Sequence, residues 1–337
     1  MFKHINKFCN FLLALQPEKD KCGFLNMNNP LPSHSNQKQV SEHVIQTLLY
    51  FDIFNCPLSA KEVFRFLGTN HVDINYIQQE LNNLTKQGVI FHFGEFFSLK
   101  NDVALIGRRT TGNSEAKKFL SIAKKKAKLI ASFPFVRAVM GSGSLSKGYM
   151  DENSDLDFFI VTEPGRLWIA RILLVMYKRI FLLNSHKYFC VNYFVDTEHL
   201  EIEEKNLFTA TELATVIPLY GAEHYQNLFR ANSWLSGFFP NHIPRSIADV
   251  PSSKRNILKK LMETCINVMF AKQLNNFFMK ITLNRWKKLY RKDYPNADFQ
   301  VAFKTKDYAY KSHPKHYQRK VMDLYEEKLR EFSFHEL

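Results

Sequence analysis

Residues 140–162 read MGSGSLSKGYMDENSDLDFFIVT, and the rest of the chain is read outward from this stretch. Two Gly-Ser pairs follow the apolar run FVRAVM (135–140), which predicts a short buried strand. About a dozen residues later, two aspartates one residue apart open the run DLDFFIVT (155–162). Its apolar, aromatic and β-branched composition predicts a second strand. Side chains alternate along a strand, so Asp155 and Asp157 share one face, about 6–7 Å apart. Carboxylates that close repel one another unless a cation lies between them. Mg²⁺ suits the position, because it takes hard oxygen ligands from one or two carboxylates together with phosphate oxygens. The Gly-Ser turn offers the complement. Gly143 lets the backbone approach a phosphate with no Cβ in the way. Free N–H groups where a strand turns into a short helix attract anions. Ser144 adds a hydroxyl and Lys147 adds charge.

Strand, Gly-Ser, an acidic loop and Asp-x-Asp, in this order and spacing, resemble the nucleotidyltransferase superfamily with the DNA polymerase beta-like fold. GSLSKGYMDENSDLDFFIV looks most like the small bacterial members. The resemblance covers roughly residues 115–200, about a quarter of the chain. It implies an α/β (α+β) core with a mixed sheet and Mg²⁺-dependent transfer of NMP from an NTP, ATP foremost, to an acceptor hydroxyl on a small molecule or sugar. Pyrophosphate is released. By the same resemblance Gly143 and Ser144 hold the β and γ phosphates, with Lys147 and Ser154 completing the nucleotide site, and Asp155 and Asp157 hold the metal. The family's third carboxylate sits on a neighbouring strand, for which KYFCVNYFVD (187–196) is the candidate. Asn192 stands at the natural position, and an amide can ligate Mg²⁺ but is no base. Asp196 in a shifted register, or Asp151 or Glu152 in the loop, are the alternatives.

The remaining chain falls into three further parts. Residues 16–40 are polar and rich in Asn, Pro and Ser, the apolar patch at 11–15 before them is short for a signal-peptide core, and residues 1–40 are expected to be a flexible leader. Residues 41–105 predict three helices and a β-hairpin turning at Gly94-Glu95. Ser59 and Glu62 form a capping box for the second helix, and Asp73 and Gly88 bound the third. This order resembles a winged helix. Its third helix offers Gln78, Gln79, Asn82 and Asn83 with Lys86 as the one cation, a poor phosphate-binding face. The catalytic domain is expected over 113–204, opening with a basic helix at 113–132. Residues 205–337 predict a helical, basic C-terminal domain, with Thr209 or Thr211 capping its first helix and Pro218 and Gly221 breaking it.

Charge and cysteine content bound the partners. The formal net charge is +14 over 337 residues. Residues 254–337 hold 19 Lys and Arg against 9 Asp and Glu. That excess suits a polyanion, either a nucleotide or nucleic acid on the basic surface. KSHPKH (311–316) adds Lys311, His313 and His316 as candidate phosphate, proton-transfer or metal groups. The five cysteines show no zinc spacing and fit a reducing, cytoplasmic setting. LWIARILLVMYKRIFLL (167–183) is interrupted by Arg171, Lys178 and Arg179, so it reads as a buried amphipathic helix, and no membrane partner is expected. Two other functions compete: a nucleic-acid-binding regulator built on a degenerate transferase core, and an antitoxin-like modifier of a protein partner.

Overall fold

The computed structural model describes residues 34–183, 187–268, 270–290, 303–311 and 317–335. The chain opens with α1 (His34–Asp52), β1 (Leu58–Ser59), α2 (Ala60–Arg65), α3 (Ile74–Lys86) and the hairpin β2 (Phe91–Phe93) and β3 (Phe96–Ser98). Local chemistry sets these bounds. The Ser59 hydroxyl and Glu62 carboxylate cap α2 reciprocally. Asp73 accepts the Tyr76 N–H at 2.8 Å to start α3. Gly94 turns the hairpin at φ +63°. The three strands lie in the order β1-β3-β2. Residues 34–40, assigned to the leader by composition, are instead the first turns of α1. Val40 is buried there beside Val44, an anchor that a polar average conceals. Residues 1–33 lie outside the described residues.

Next comes α4 (Ala104–Ser132), which begins nine residues before the expected start. Gly107, Thr110, Thr111 and Gly112 are poor helix formers. Burial overrides them: Arg109 is 2% exposed and pairs with Glu62 of α2 and the Pro57 carbonyl. The helix therefore joins the first module to the central sheet without a flexible break.

That sheet contains β4 (Val136–Ser142), β5 (Asp157–Thr162), β6 (Cys190–Asp196), β7 (Ile217–Tyr220) and β8 (Ala309–Lys311), in the order β7-β4-β5-β6-β8. β5 and β6 are parallel, connected through α6 (Leu167–Phe181), and the other neighbours are antiparallel. The fold is α+β with a mixed sheet. Alternation divides β5 between two cores. Phe159 and Val161 face a cluster shared with α1, α2 and α3, and Phe158 and Ile160 face one shared with α4 and α6. Each fully buried large apolar side chain contributes about 1.5–3 kcal/mol.

The segment read as helical from 205 onward also supplies both sheet edges. β7 contains Pro218, which read as a breaker but is tolerated because β7 is an edge strand. β8 is only three residues long, too short for a periodic signal. The helices here are α7 (Leu207–Thr215), α8 (Ala222–Ala231), α9 (Ile257–Val268), α10 (Ala271–Tyr290) and α11 (Tyr317–His335). Asn206 rather than Thr209 or Thr211 caps α7, accepting the Thr209 N–H at 3.0 Å. Lys311 ends β8 and donates to Gln318 at 3.1 Å. His313 and His316 lie outside the described residues. No described helix is long and apolar enough to cross a membrane.

Candidate active site

The site is built where β4 ends and β5 begins. Ser142 pairs with Asp157 across the two strands. Gly143 follows at φ +64° and opens α5, the four-residue turn Gly143–Ser146. A Cβ at Gly143 would sit 2.2 Å from Asp157 Oδ2, so only glycine permits this approach of backbone to carboxylate. The turn is clamped from behind. Ser146 Oγ and Lys147 Nζ both donate to the Gly143 carbonyl, at 2.8 and 3.1 Å. Arg245 donates to the Ser146 carbonyl at 3.0 Å, and Ser146 Oγ meets Thr215 Oγ1 at 3.2 Å. Ser144 is buried, and its carbonyl accepts the Tyr149 N–H at 3.0 Å. Lys147 is buried too, with its ammonium 2.8 Å from Glu212 of α7. Burial pushes that lysine's pKa down, and Glu212 and Asp157 oppose the shift. Lys147 thus holds the turn's shape at the place where the sequence suggested direct phosphate contact.

Asp157 is on the face opposite Leu156, whose side chain is in the core shared with α4 and α6, and Asp155 precedes the strand. Strand pairing proper starts at Asp157, two residues later than expected, although Leu156 still bonds Lys187 and Cys190 through its backbone. The loop before them closes on Asp151. Its Oδ1 accepts from Ser154 Oγ at 2.7 Å and from the Asn153 N–H at 3.0 Å, and its Oδ2 accepts from Tyr149 at 3.0 Å. Both carboxylate oxygens are therefore occupied in shaping the loop, and Ser154, 1% exposed, is their clamp. Glu152 is exposed on the same loop.

Asn192 is brought to Asp157. Its Nδ2 donates to Asp157 Oδ1 at 3.0 Å. A carboxylate neighbour fixes the amide's orientation, because the nitrogen must face it. The other end, Oδ1, is buried and has no hydrogen-bond partner. The placement depends on an irregularity: Phe158 pairs with Val191 and Phe159 with Tyr193, so Asn192 is the extra residue of a β-bulge. Asp196 is not brought to the site. It pairs with Thr162 at the far end of β5, and its Oδ1 accepts the Glu198 and His199 N–H groups at 3.0 and 2.9 Å.

Two groups that sequence reasoning left out of the site stand beside it. Cys190 is the cross-strand partner of Asp157, and burial followed by the Asp157 charge pushes its thiol well up. Lys178 of α6 is buried near Asp155 and Cys190, and burial lowers its pKa. Cys190 shares strand parity with Asn192, a signal present in the sequence. Lys178 was visible only as an interruption of an apolar run.

Asp155, Asp157 and the free amide oxygen of Asn192 are hard oxygen donors, and they fit Mg²⁺. Among the described residues no three His, Cys, Asp or Glu side chains gather to hold a metal ion. The Asn192 amide oxygen, buried and without a partner, is a candidate third protein ligand beside the two aspartates. No family model, curated protein or solved structure matches the chain.

Proposed function

We propose that this chain is a nucleotidyltransferase of the DNA polymerase beta-like type, moving NMP from an NTP, ATP foremost, to a hydroxyl of a small molecule or sugar. One observation carries the reading: Gly143 abuts Asp157, and Asn192 donates its Nδ2 to the same carboxylate while its buried Oδ1 has no partner. An orphaned acceptor costs about 1–3 kcal/mol, and a bound ligand offsets that cost. The antiparallel β4/β5 pair followed by the parallel, helix-linked β5/β6 pair supports the same core. The first module, ordered α1-β1-α2-α3-β2-β3, fits a winged helix used for packing.

Asp155, Asp157 and Asn192 would hold Mg²⁺, which would neutralise triphosphate charge and polarise the α-phosphoryl group. Gly143 lets the turn close against the Asp157 carboxylate, and Ser144 supplies a hydroxyl at the same turn. The acceptor oxygen bonds to the α-phosphorus as the bridging bond to the β-phosphate breaks, and pyrophosphate leaves. Asn192 cannot take the acceptor's proton, so that proton passes to solvent or phosphate, and turnover is slow. Incubation with α-labelled NTPs and pooled hydroxyl acceptors tests the reaction. Labelled product and pyrophosphate should appear with wild type and vanish in Asp155→Ala/Asp157→Ala. A second reading rests on the amide at 192: a nucleotide-binding regulator without turnover. It predicts NTP binding with no pyrophosphate release.

A further inference from the structure

Helix α9 packs inside out. Its inward positions are Lys259, 2% exposed, and Glu263, 4% exposed. Lys259 donates to the Ala131 and Val136 carbonyls at 2.7 and 2.6 Å. Glu263 accepts from the Phe135 N–H and from Arg137, at 2.7 and 2.8 Å. The outward positions are apolar: Ile257, Leu258, Leu261, Met262 and Val268 fall within one helical stripe. Ile257 is 87% exposed and Val268 78%. The connection to α10 continues the surface. Phe270 takes a left-handed backbone, φ +56°, and is 75% exposed. Phe277 and Ile281 follow at helical spacing, also exposed. An apolar face this extensive, on a helix that turns Lys259 and Glu263 inward, marks a candidate interaction surface.

Its charge selects the partner. Across residues 256–290 the exposed cations are Lys260, Lys272, Lys280, Arg285, Lys287 and Lys288. The single carboxylate in that span, Glu263, points inward. A face of bulky apolar residues flanked by lysines, with no exposed acid, matches the boundary between headgroups and acyl chains of an anionic bilayer. A second copy of this chain is disfavoured, because it would bring two such cationic faces together.

We propose that α9 and α10 dock this protein on an anionic lipid surface. The helices lie on the membrane and do not cross it. The expectation of no membrane partner came from hydropathy, which reports spanning segments, whereas this surface is visible only in the direction each side chain faces. α9 bonds to the start of β4, and the Gly143 turn is at that strand's other end. The proposal does not rest on the transferase reading.

Sedimentation of the full chain with vesicles tests it, using phosphatidylcholine alone and phosphatidylcholine with about 30% phosphatidylserine. Wild type should bind the anionic vesicles and release in high salt, with each cation removed weakening binding about fivefold. Leu258→Asp/Leu261→Asp should lose at least about tenfold in affinity with an unchanged melting temperature, both positions being solvent-facing. Lys287→Ala/Lys288→Ala, which leaves the apolar stripe whole, separates the charge contribution. Folded wild type that binds neither vesicle, or binds both equally, overturns the proposal. So does a dimer in solution, with no vesicle binding, that the Leu258→Asp/Leu261→Asp change dissociates; a second copy is then the occupant.

Discussion

Gly143 and Asn192 bear the most specific consequences at the scale of single residues. Gly143→Ala meets two costs: about 1–2 kcal/mol for left-handed backbone and displacement of the Asp157 carboxylate. Gly165 provides the comparison, since it has φ +65° with open space around it. In chemical denaturation Gly143→Ala should lose clearly more stability than Gly165→Ala. Equal losses would show that the close approach to Asp157 is absent in solution. Asn192→Asp sets a new carboxylate against Asp157, so without divalent metal it should destabilise the fold by about 1–3 kcal/mol. Added Mg²⁺ should raise its melting temperature more than it raises the wild type's. Identical Mg²⁺ shifts would mean that position 192 does not face a cation. Gly143, Asp155 and Asp157 were legible in the sequence because a turn and a strand impose fixed local spacings. The position of Asn192 was legible only as a candidate, since its contact with Asp157 depends on a bulge between β5 and β6 that no local pattern encodes. The role of Lys147 was hidden for a related reason: its partner Glu212 is distant in sequence.

At the scale of elements, the Gly143 turn is supported by a strap running from Phe238 to Arg245. Arg245 reaches the Ser146 carbonyl, and His242 Nε2 lies 2.9 Å from the Ala214 carbonyl and 3.0 Å from the Arg65 guanidinium. Burial, and next Arg65, lowers the His242 pKa from 6.5 to about 4. The folded state therefore binds fewer protons than the unfolded chain between these values. The stability this histidine contributes is complete above pH 6.5 and is lost as pH falls toward about 4. Denaturation midpoints across that window should fall more steeply for wild type than for His242→Gln, and parallel curves would contradict this. Strap and turn meet only through tertiary contacts, so the sequence marked neither. Helices with side-chain caps, such as α2 and α3, were legible to within a residue or two. The start of α4 was not, because buried Arg109 outweighs the poor propensity of Gly107 and Gly112.

Over the whole molecule, the parts that composition separated are fused. One apolar cluster runs from Val44 of α1 through Val161 of β5 to Val321 of α11. Lys328 of α11 bonds Asp52 of α1 at 2.7 Å, and Tyr325 packs edge-on against Tyr50 with ring centroids 5.6 Å apart. Removing residues 317–337 uncovers Tyr50 and Phe208, and should cost about 3–5 kcal/mol from lost burial alone. The first module and the central sheet should then unfold together at lower denaturant, in one transition. Two separate transitions, one per module, would contradict a continuous core. Sequence reading recovered the class, α+β with a mixed sheet, and marked the runs that become β4, β5 and β6. It missed β7 and β8, the short edge strands that join distant chain segments to the same sheet.

The account turns on whether this site holds a metal-bound nucleotide. Calorimetry of each NTP, with and without Mg²⁺, on wild type and on Asp155→Ala/Asp157→Ala, measures that directly. Mg²⁺-dependent binding by wild type that is absent in the double variant is the predicted result. Folded wild type that binds no NTP with Mg²⁺ present would contradict it.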